Sequence, residues 1–494
     1  MPVPDPMNER QMQAAAALLA ARFPVATELG GIFAAVGHEL ALVGGPVRDV
    51  FLGRQPGDVD LTTDATPQRV QEIVAGWADQ VWTIGIEFGT IGLRKGRQVL
   101  EITTYRSETY DRSSRKPDVE YGDSLTADLG RRDFTVNAIA ARLPGYSVVD
   151  PSGGLADLRG KVLRTPGAPE RSFTDDPLRI LRAARFTAQL GFTVTAEVRQ
   201  AMTDLAGLLA PPKVSAERIE GELTKLMLSS LPGGPAAGIE LLVDTGVAEQ
   251  VLPEIPRLRL ESDEHFRHKD VYQHSLTVLN QAIGLETRYE LSPDLVLRLA
   301  ALLHDIGKPR TRSRLPDGRV AFHHHEVVGA KMARKRLMEL RYSKEIVADV
   351  SRLIELHLRF HGYGEGEWTD SAVRRYVTDA GPLLPRLHAL TRADCTTRNK
   401  AKALRLERAY DSLEARIAEL AEREELASIR PELNGYEIME ILGLPPGPDV
   451  GKAYAHMLEY RLEHGPVGRD QAVQELLRWA RSAGIEPPTP GPEG

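Results

Sequence analysis

Asp58 and Asp60 stand two residues apart in the run Gly57-Asp58-Val59-Asp60-Leu61. In a strand, alternate side chains share a face, so the two carboxylates project together. Neighbouring carboxylates repel unless a cation sits between them, and hard oxygen ligands with room for phosphates suit Mg²⁺. Just upstream runs Leu42-Val43-Gly44-Gly45-Pro46-Val47-Arg48-Asp49. Glycines at a strand end offer bare backbone N–H groups that can approach a triphosphate closely. A Gly-Gly turn beside an Asp-x-Asp strand is the layout expected for two-metal phosphoryl transfer. A lone Asp-x-Asp would read as a solvated acidic turn. The Gly-Gly-x-x-Arg-Asp element placed before it favours the catalytic alternative.

These residues need a sheet, and the first third of the chain supplies its strands. Leu40–Val43 reads as a short apolar strand, Val47–Leu52 as a short helix and Val59–Leu61 as a second strand. Thr66-Pro67 caps a helix with Val70, Ile73, Val74 and Trp77 at helical spacing. Val81–Ile86, Thr90–Leu93 and Val99–Tyr105 read as further strands. From about Thr174 strand signals fade. Pro177–Leu190, Ala216–Leu228, Asp294–His304, Val327–Leu340 and Ala401–Ala421 carry helical periodicity, so the remainder is expected to be helical. Thr165–Pro169 and Ser230–Pro235 read as linkers, and the Pro/Gly-rich end from Glu486 as disordered.

With 494 residues, 42% hydrophobic and 27% charged, the chain can build several cores, and three or four domains are expected. No window reaches the roughly twenty uninterrupted apolar residues that a membrane span needs. The N-terminus lacks a signal-peptide layout. A single cysteine, Cys395, excludes an intramolecular disulfide and fits a reducing cytoplasm. The net charge of −7 argues mildly against a nucleic-acid partner. Local basic runs such as Arg398–Arg408 offset it, because phosphate contacts follow the local field.

The Gly-Gly and Asp-x-Asp elements resemble the polymerase-β-type nucleotidyltransferases of class II, which comprise tRNA CCA-adding enzymes and bacterial poly(A) polymerases. The resemblance implies that Asp58 and Asp60 hold the metals and act as the catalytic pair. Glu101, in Val99-Leu100-Glu101-Ile102, is the candidate third carboxylate, with a salt bridge to an arginine as the alternative. Arg131-Arg132-Asp133-Phe134-Thr135-Val136-Asn137-Ala138 matches the family's second motif. Adjacent arginines can clamp a triphosphate with forked donors. Asp133 can accept from ribose hydroxyls, and Asn137 lies one helical turn beyond it. Gly44, Gly45 and Arg48 complete the expected nucleotide site. Arg106–Arg115 reads as a mobile loop beside it.

Thr174-Asp175-Asp176-Pro177-Leu178-Arg179 reads as a helix start, with Asp176 and Arg179 on one face. A carboxylate accepts from an exocyclic amine and a guanidinium donates to a ring nitrogen or carbonyl, so the pair can imitate a base edge. Both C and A carry such an amine. The resembled family uses this motif as a protein template for C and A, which implies Asp176 and Arg179 here. This chain has Asp175 where the family more often has Glu. The alternative is a helix cap, since Asp before Pro starts helices well. Arg182 and Arg185 extend an arginine stripe that meets phosphate or is solvated. The charges of Ala216–Leu223, a further motif of the family, read as support for the neck.

The helical part holds His274, then His304-Asp305, then Asp394, with His325 and His357 between. This resembles the HD superfamily of metal-dependent phosphohydrolases. A buried His-Asp pair without a partner is expensive, which favours a cation, a divalent transition metal or Mg²⁺. His325 and His357 resemble the added ligands of two-metal variants. His323, His324 and His361 read as neighbours or solvated bystanders, and any single histidine alone would read as a satisfied core residue.

The expected fold is α+β: a polymerase-β-like head followed by an all-helical neck, HD body and tail. The expected boundaries are 1–29 for an N-terminal helical extension, 30–168 for the head, 169–258 for the neck, 259–400 for the HD domain and 401–494 for the tail. The expected activity is addition of C, C and A to the 3′ end of tRNA from CTP and ATP, by a cytoplasmic monomer or homodimer. Poly(A) synthesis, addition of C alone or A alone, and HD-site hydrolysis with an RNA-binding head are the alternatives.

Overall fold

The computed structural model describes residues 9–55, 57, 59–108, 119–122, 124–210, 213–260, 270–316, 320–360, 368–396, 399–424, 426 and 429–488. The chain divides into two compact units, Met1–Pro253 and Glu254–Gly494.

In the first unit the strands follow in chain order as β1 (Leu40–Val43), β2 (Val59–Thr63), β3 (Gln80–Trp82), β4 (Thr90–Lys95), β5 (Gln98–Thr104), β6 (Arg106–Glu108), β7 (Val119–Tyr121), β8 (Ala140–Arg142) and β9 (Ser147–Val149), with a further two-residue parallel pair, Val162–Leu163 and Thr193–Val194. Seven form one sheet in the order β3-β4-β5-β2-β1-β8-β9. Within it β2 and β5 run parallel and the other neighbours antiparallel. Central β1, Leu-Ala-Leu-Val, is buried along its whole length, as an uninterrupted apolar run requires. β5 instead alternates, with Leu100 and Ile102 buried and Val99 and Glu101 exposed. The helix Pro67–Val74 starts as its sequence dictates: Thr66 accepts from the Arg69 amide and Pro67 takes the first turn.

The neck-forming segment of this unit contains the helices Pro169–Asp175, Leu178–Leu190, Ala216–Met227 and Gly234–Asp244. The last crosses Leu178–Leu190 at close range. A Cβ on Gly234 would stand 2.2 Å from the Ala188 carbonyl oxygen, so only glycine permits the approach.

The second unit is mainly helical. Val271–Leu285, Leu295–Leu303, His325–Glu339, Lys344–Leu356 and Leu384–Asp394 surround a polar centre. Gly435–Leu442, Pro448–His464 and Arg469–Ser482 pack a separate apolar core around Leu433, Ile438, Met457 and Leu476. Among the described residues, no single helix is long and apolar enough to cross a membrane.

Three sequence expectations need correction. The strand expected over Val81–Ile86 ends at Trp82, and Ile86–Phe88 is a 3-10 turn between two left-handed glycines, Gly85 and Gly89. The helical remainder is interrupted by a short strand, Thr193–Val194, and by a hairpin, Arg312–Arg314 with Val320–Phe322. Its first strand, Arg-Ser-Arg, is fully exposed and so carries no apolar alternation to betray it. Arg106–Glu108 belongs to a strand pair with Val119–Tyr121, while the rest of the expected loop, residues 109–115, lies outside the described residues.

Candidate functional site

Asp58 lies outside the described residues. Asp60, on β2, stands in register with Glu101 on the parallel neighbour β5. Register partners share a face of the sheet, so the two carboxylates project side by side. Leu61 and Ile102, one residue on, are the buried pair of the opposite face. Among the described residues Glu101 forms no ion pair with an arginine.

Gly44 ends β1 with φ 75° and ψ −127°, a conformation that excludes side chains. A Cβ there would lie 3.2 Å from Arg132 Nη1. Of the two glycine amides expected to be bare, that of Gly44 is not: it donates to the Ile139 carbonyl at 3.2 Å. Gly45 opens the helix Gly45–Phe51. Arg48, expected at the nucleotide, turns to Asn137 instead, donating from Nη1 to Oδ1 at 2.7 Å, and pairs with Asp49 at 2.8 Å.

The second motif leaves the helix Leu125–Gly130 and enters the 3-10 turn Thr135–Asn137. Arg131 Nε and Nη1 and Arg132 Nε are buried without hydrogen-bond partners among the described residues. Buried unpaired guanidinium donors are costly and suit an anion. Asp133 accepts from the Phe134 amide at 2.8 Å, from Asn137 Nδ2 at 3.1 Å and from Arg182 Nε at 2.8 Å. Burial pushes its carboxyl pKa up, but Arg182 and these hydrogen bonds prevail and hold it at about 2.

Asp176 does not sit inside a helix. It is extended, between Pro169–Asp175 and Leu178–Leu190, because Pro177 disfavours helical backbone before it. Its Oδ1 accepts from the Leu178 amide at 3.2 Å, and Arg218 Nη2 lies 3.2 Å from both carboxylate oxygens. Arg179 donates from Nη2 to the Arg131 carbonyl at 2.6 Å and from Nη1 to Ser172 Oγ at 2.8 Å. The base-reading candidate is thereby tied to the triphosphate candidate by one hydrogen bond. Arg182, a third exposed, and Arg185, buried, both engage carboxylates of this unit. Arg182 pairs with Asp133, and buried Arg185 pairs with buried Glu222 at 2.5 Å. Phe186 was not singled out in sequence. Its ring has the guanidinium carbons of Arg48, Arg182 and Arg185 at 5.4, 5.5 and 4.1 Å from its centroid. An aromatic in an amphipathic helix reads as plain core, so no sequence signal exposes this role.

The second unit gathers all six expected metal ligands. The apolar helix Leu295–Leu303 delivers His304 at its end, and Asp305 follows. The ligand atoms of His274, His304 and Asp305 lie within 4.8 Å of one another, as do those of Asp305, His325 and His357. Asp394 stands 2.9 Å from His274 Nε2 and 3.5 Å from His304 Nε2. His304, His325 and His357 each face a backbone carbonyl through Nδ1, those of Ala301, Phe322 and Ile354, at 2.9, 2.9 and 2.6 Å. A carbonyl only accepts, so each Nδ1 carries a proton and each Nε2 is the nitrogen that faces the centre, where it would ligate a cation once free of its own proton. His357 Nε2 is buried without a hydrogen-bond partner among the described residues. This donor set fits one or two divalent cations, with Asp305 shared.

Lys308 Nζ, 2.9 Å from Asp305, and Thr396, 3.1 Å from His274 Nδ1, join the centre without having been anticipated. Lys308 follows Asp305 by one helical turn, a spacing that could have found it. The electrostatics are polarised. Burial opposes a charge on His304, yet Asp305 and Asp394 raise it to about 10. Burial and the neighbouring His304 charge lower His357 to about 3. Asp305 and Asp394 are held well below the carboxylate range despite burial, chiefly by His304 for Asp305 and by His274 and His304 for Asp394. His324 is exposed and His323 lies outside both triads; His361 is outside the described residues.

The family described as "Poly A polymerase head domain" matches residues 40–164, "Probable RNA and SrmB- binding site of polymerase A" matches 191–258, and "HD domain" matches 271–427. The chain is 34% identical to the A-adding tRNA nucleotidyltransferase of Deinococcus radiodurans, over 89% of this chain and 95% of that protein. It is 33% identical to the CC-adding tRNA nucleotidyltransferase of Thermus thermophilus, over 88% and 93% respectively. Its fold is similar to that of the Bacillus stearothermophilus CCA-adding enzyme solved with CTP, with a TM-score of 0.64, 24% identity and coverage of 94% of this chain and 98% of that one. The chain belongs to the tRNA nucleotidyltransferase family.

Proposed function

We propose that this chain adds C, C and A to the 3′ end of tRNA from CTP and ATP, without a nucleic-acid template. The observation that carries this reading is the bond from Arg179 to the Arg131 carbonyl. It joins a helix that offers an acceptor and a donor for a base edge to a motif with unpaired guanidinium donors for a triphosphate. Residues 30–168 act as the head, 169–258 as the neck, 259–400 as the HD domain and 401–494 as the tail, after an extension over 1–29.

Asp58 and Asp60, with Glu101 beside Asp60, would hold Mg²⁺, which lowers the charge barrier and aligns the attack of the primer 3′-hydroxyl on the α-phosphate. Arg131, Arg132 and the Gly45 amide bind the triphosphate oxygens and the departing pyrophosphate. Asp133 accepts from a ribose hydroxyl. Asp176 accepts from the exocyclic amine common to C and A, and Arg179 donates to the ring edge. Asn137, held by Arg48, fixes Asp133 from the other side.

Three tRNA transcripts test this: one lacking CCA, one ending in CC and one complete, each with single nucleoside triphosphates. C on the first, A on the second and nothing on the third is the expected result. Of the relatives named above, one is an A-adding and one a CC-adding tRNA nucleotidyltransferase. Incorporation confined to A on the second transcript, or to C on the first, identifies such a specialist. Long runs of A identify a poly(A) polymerase, and no incorporation overturns the reading.

For the second unit we propose a divalent-metal phosphohydrolase, supported by the two triads that share Asp305. His274, His304, Asp305 and Asp394 would hold one cation, and Asp305, His325 and His357 a second. Such cations activate water and polarise a phosphoryl oxygen. Chelator-sensitive cleavage of a chromogenic phosphodiester tests it; activity indifferent to chelation overturns it.

A further inference from the structure

The row of side chains that begins with Asp60 continues across the sheet. Asp60 is in register with Glu101, Glu101 with Gly92 on β4, and Gly92 with Trp82 on the edge strand β3. Register partners share a face, so Trp82 stands on the face of the two carboxylates. A separate observation puts its ring there: a Cβ on Gly92 would lie 2.0 Å from Trp82 Nε1 and 2.3 Å from Cε2. The indole thus occupies the place of the side chain that Gly92 lacks, next to Glu101 in the row. Gly92 is buried, while Trp82 is half-buried and Glu101 exposed. Two strand spacings put the ring roughly 10 Å from Asp60. In the next row of the same face, Arg94 and Val99 are register partners, and both are exposed.

The strand order decides what reaches this ring. Gly44, whose Cβ would lie 3.2 Å from Arg132 Nη1, ends β1, on one side of β2. Glu101, Gly92 and Trp82 lie on the other side, on β5, β4 and β3. In an in-line displacement the attacking hydroxyl arrives opposite the departing pyrophosphate. With the triphosphate donors on the β1 side, the primer end comes in over β5, β4 and β3. We propose that Trp82 is the stacking platform for the last nucleobase of the RNA primer, with Arg94 beside it for the primer backbone phosphate. The inference rests on the reading of this unit as a nucleotide-adding site. Every nucleobase has a π face, so an indole holds whichever base ends the primer, and that base changes with each addition. An aromatic plane with a neighbouring guanidinium binds single-stranded RNA without reading its sequence. Gly92 serves the same end, because any larger residue there would displace the ring.

The test is addition of C by the full-length protein to two primers: tRNA lacking CCA, and the same tRNA with the base of its last nucleotide removed. Trp82→Ala should raise the KM for the intact primer about ten- to a hundredfold, the loss of one base–aromatic stack, and leave the KM for CTP at its wild-type value. Wild type should use the abasic primer worse by a similar factor, whereas Trp82→Ala should no longer tell the two primers apart. Trp82→Phe, which keeps an aromatic plane, should regain most of the discrimination. Gly92→Ala displaces the ring without removing it and should lose discrimination as Trp82→Ala does, so the outcome does not hang on how one variant folds. A Trp82→Ala protein that distinguishes the primers as wild type does, with or without a lowered melting temperature, makes the ring a mere cover for Gly92 and overturns the inference. An equal rise in the KM for CTP also overturns it, by moving the ring to the incoming nucleotide. A wild type that adds no nucleotide to any tRNA overturns the underlying reading instead.

Discussion

In the first unit the candidate site has Arg131 Nε and Nη1 and Arg132 Nε buried without partners among the described residues, and Asp60 on β2 in register with Glu101 on β5. In the second unit the histidine rings are already fixed from behind, three of them by backbone carbonyls at 2.6–2.9 Å. One arrangement offers buried guanidinium donors of the kind that suit an anion. The other gathers buried His and Asp groups that could hold a cation. The contrast is one of charge arrangement: unpaired guanidinium donors, which suit an anion, against imidazoles oriented from behind, which suit a cation.

The largest expected effect separates the two sites outright. Asp60→Ala should abolish addition of both C and A while leaving chelator-sensitive hydrolysis at its wild-type rate. Turnover within tenfold of wild type, at saturating nucleotide and Mg²⁺, would remove Asp60 from the chemistry. The reciprocal variant, His304→Ala, should eliminate hydrolysis and bound metal, measured by elemental analysis, and leave addition nearly unchanged. Retention of stoichiometric metal would show that the buried cluster is not its seat.

A smaller effect sharpens the comparison through pH. The carboxyl of Asp133 is depressed from 3.8 to about 2 in the folded protein. A depressed acid contributes stability above its unfolded pKa and loses it as pH falls through the folded value. Asp133→Asn should therefore cost about 2 kcal/mol near neutrality, and the gap to wild type should close between about pH 4 and pH 2. Denaturant titrations of both proteins from pH 6 downward measure it; a gap independent of pH would mean that the Arg182 pair is not its source. Smaller still is the capping contribution of Asp176, whose Oδ1 accepts from the Leu178 amide. Asp176→Ala should lower stability by roughly 1 kcal/mol in addition to its effect on base choice, and an unshifted melting temperature would exclude the cap.

The chemistry of the first unit was legible because its parts are local: Gly44-Gly45, Arg131-Arg132-Asp133 and Asp176 with Arg179 each fit in one turn or strand. What the sequence could not state was pairing. Arg185 and Glu222 are separated by 37 positions, and nothing in either helix says that they meet. β8 and β9 escaped notice because three-residue strands such as Ala140–Arg142 offer too few alternations to show a period of two. The second unit reversed this. Its helices were plain in periodicity, but His274 and Asp394 lie 120 positions apart, and only a family pattern joined them before the fold did.

The most direct measurement concerns protein templating. Arg179→Ala removes a donor to the base edge and leaves Asp60, Glu101 and the Asp133 network in place. The ratio of CTP to UTP use and the melting temperature are taken on one purified preparation, with tRNA lacking CCA as primer. The account predicts that the ratio falls about ten- to a hundredfold, the loss of roughly 1–3 kcal/mol of discrimination, while the melting temperature stays within a few degrees of wild type. A lowered melting temperature with an unchanged ratio would contradict it and reduce Arg179 to a strut between Ser172 and Arg131.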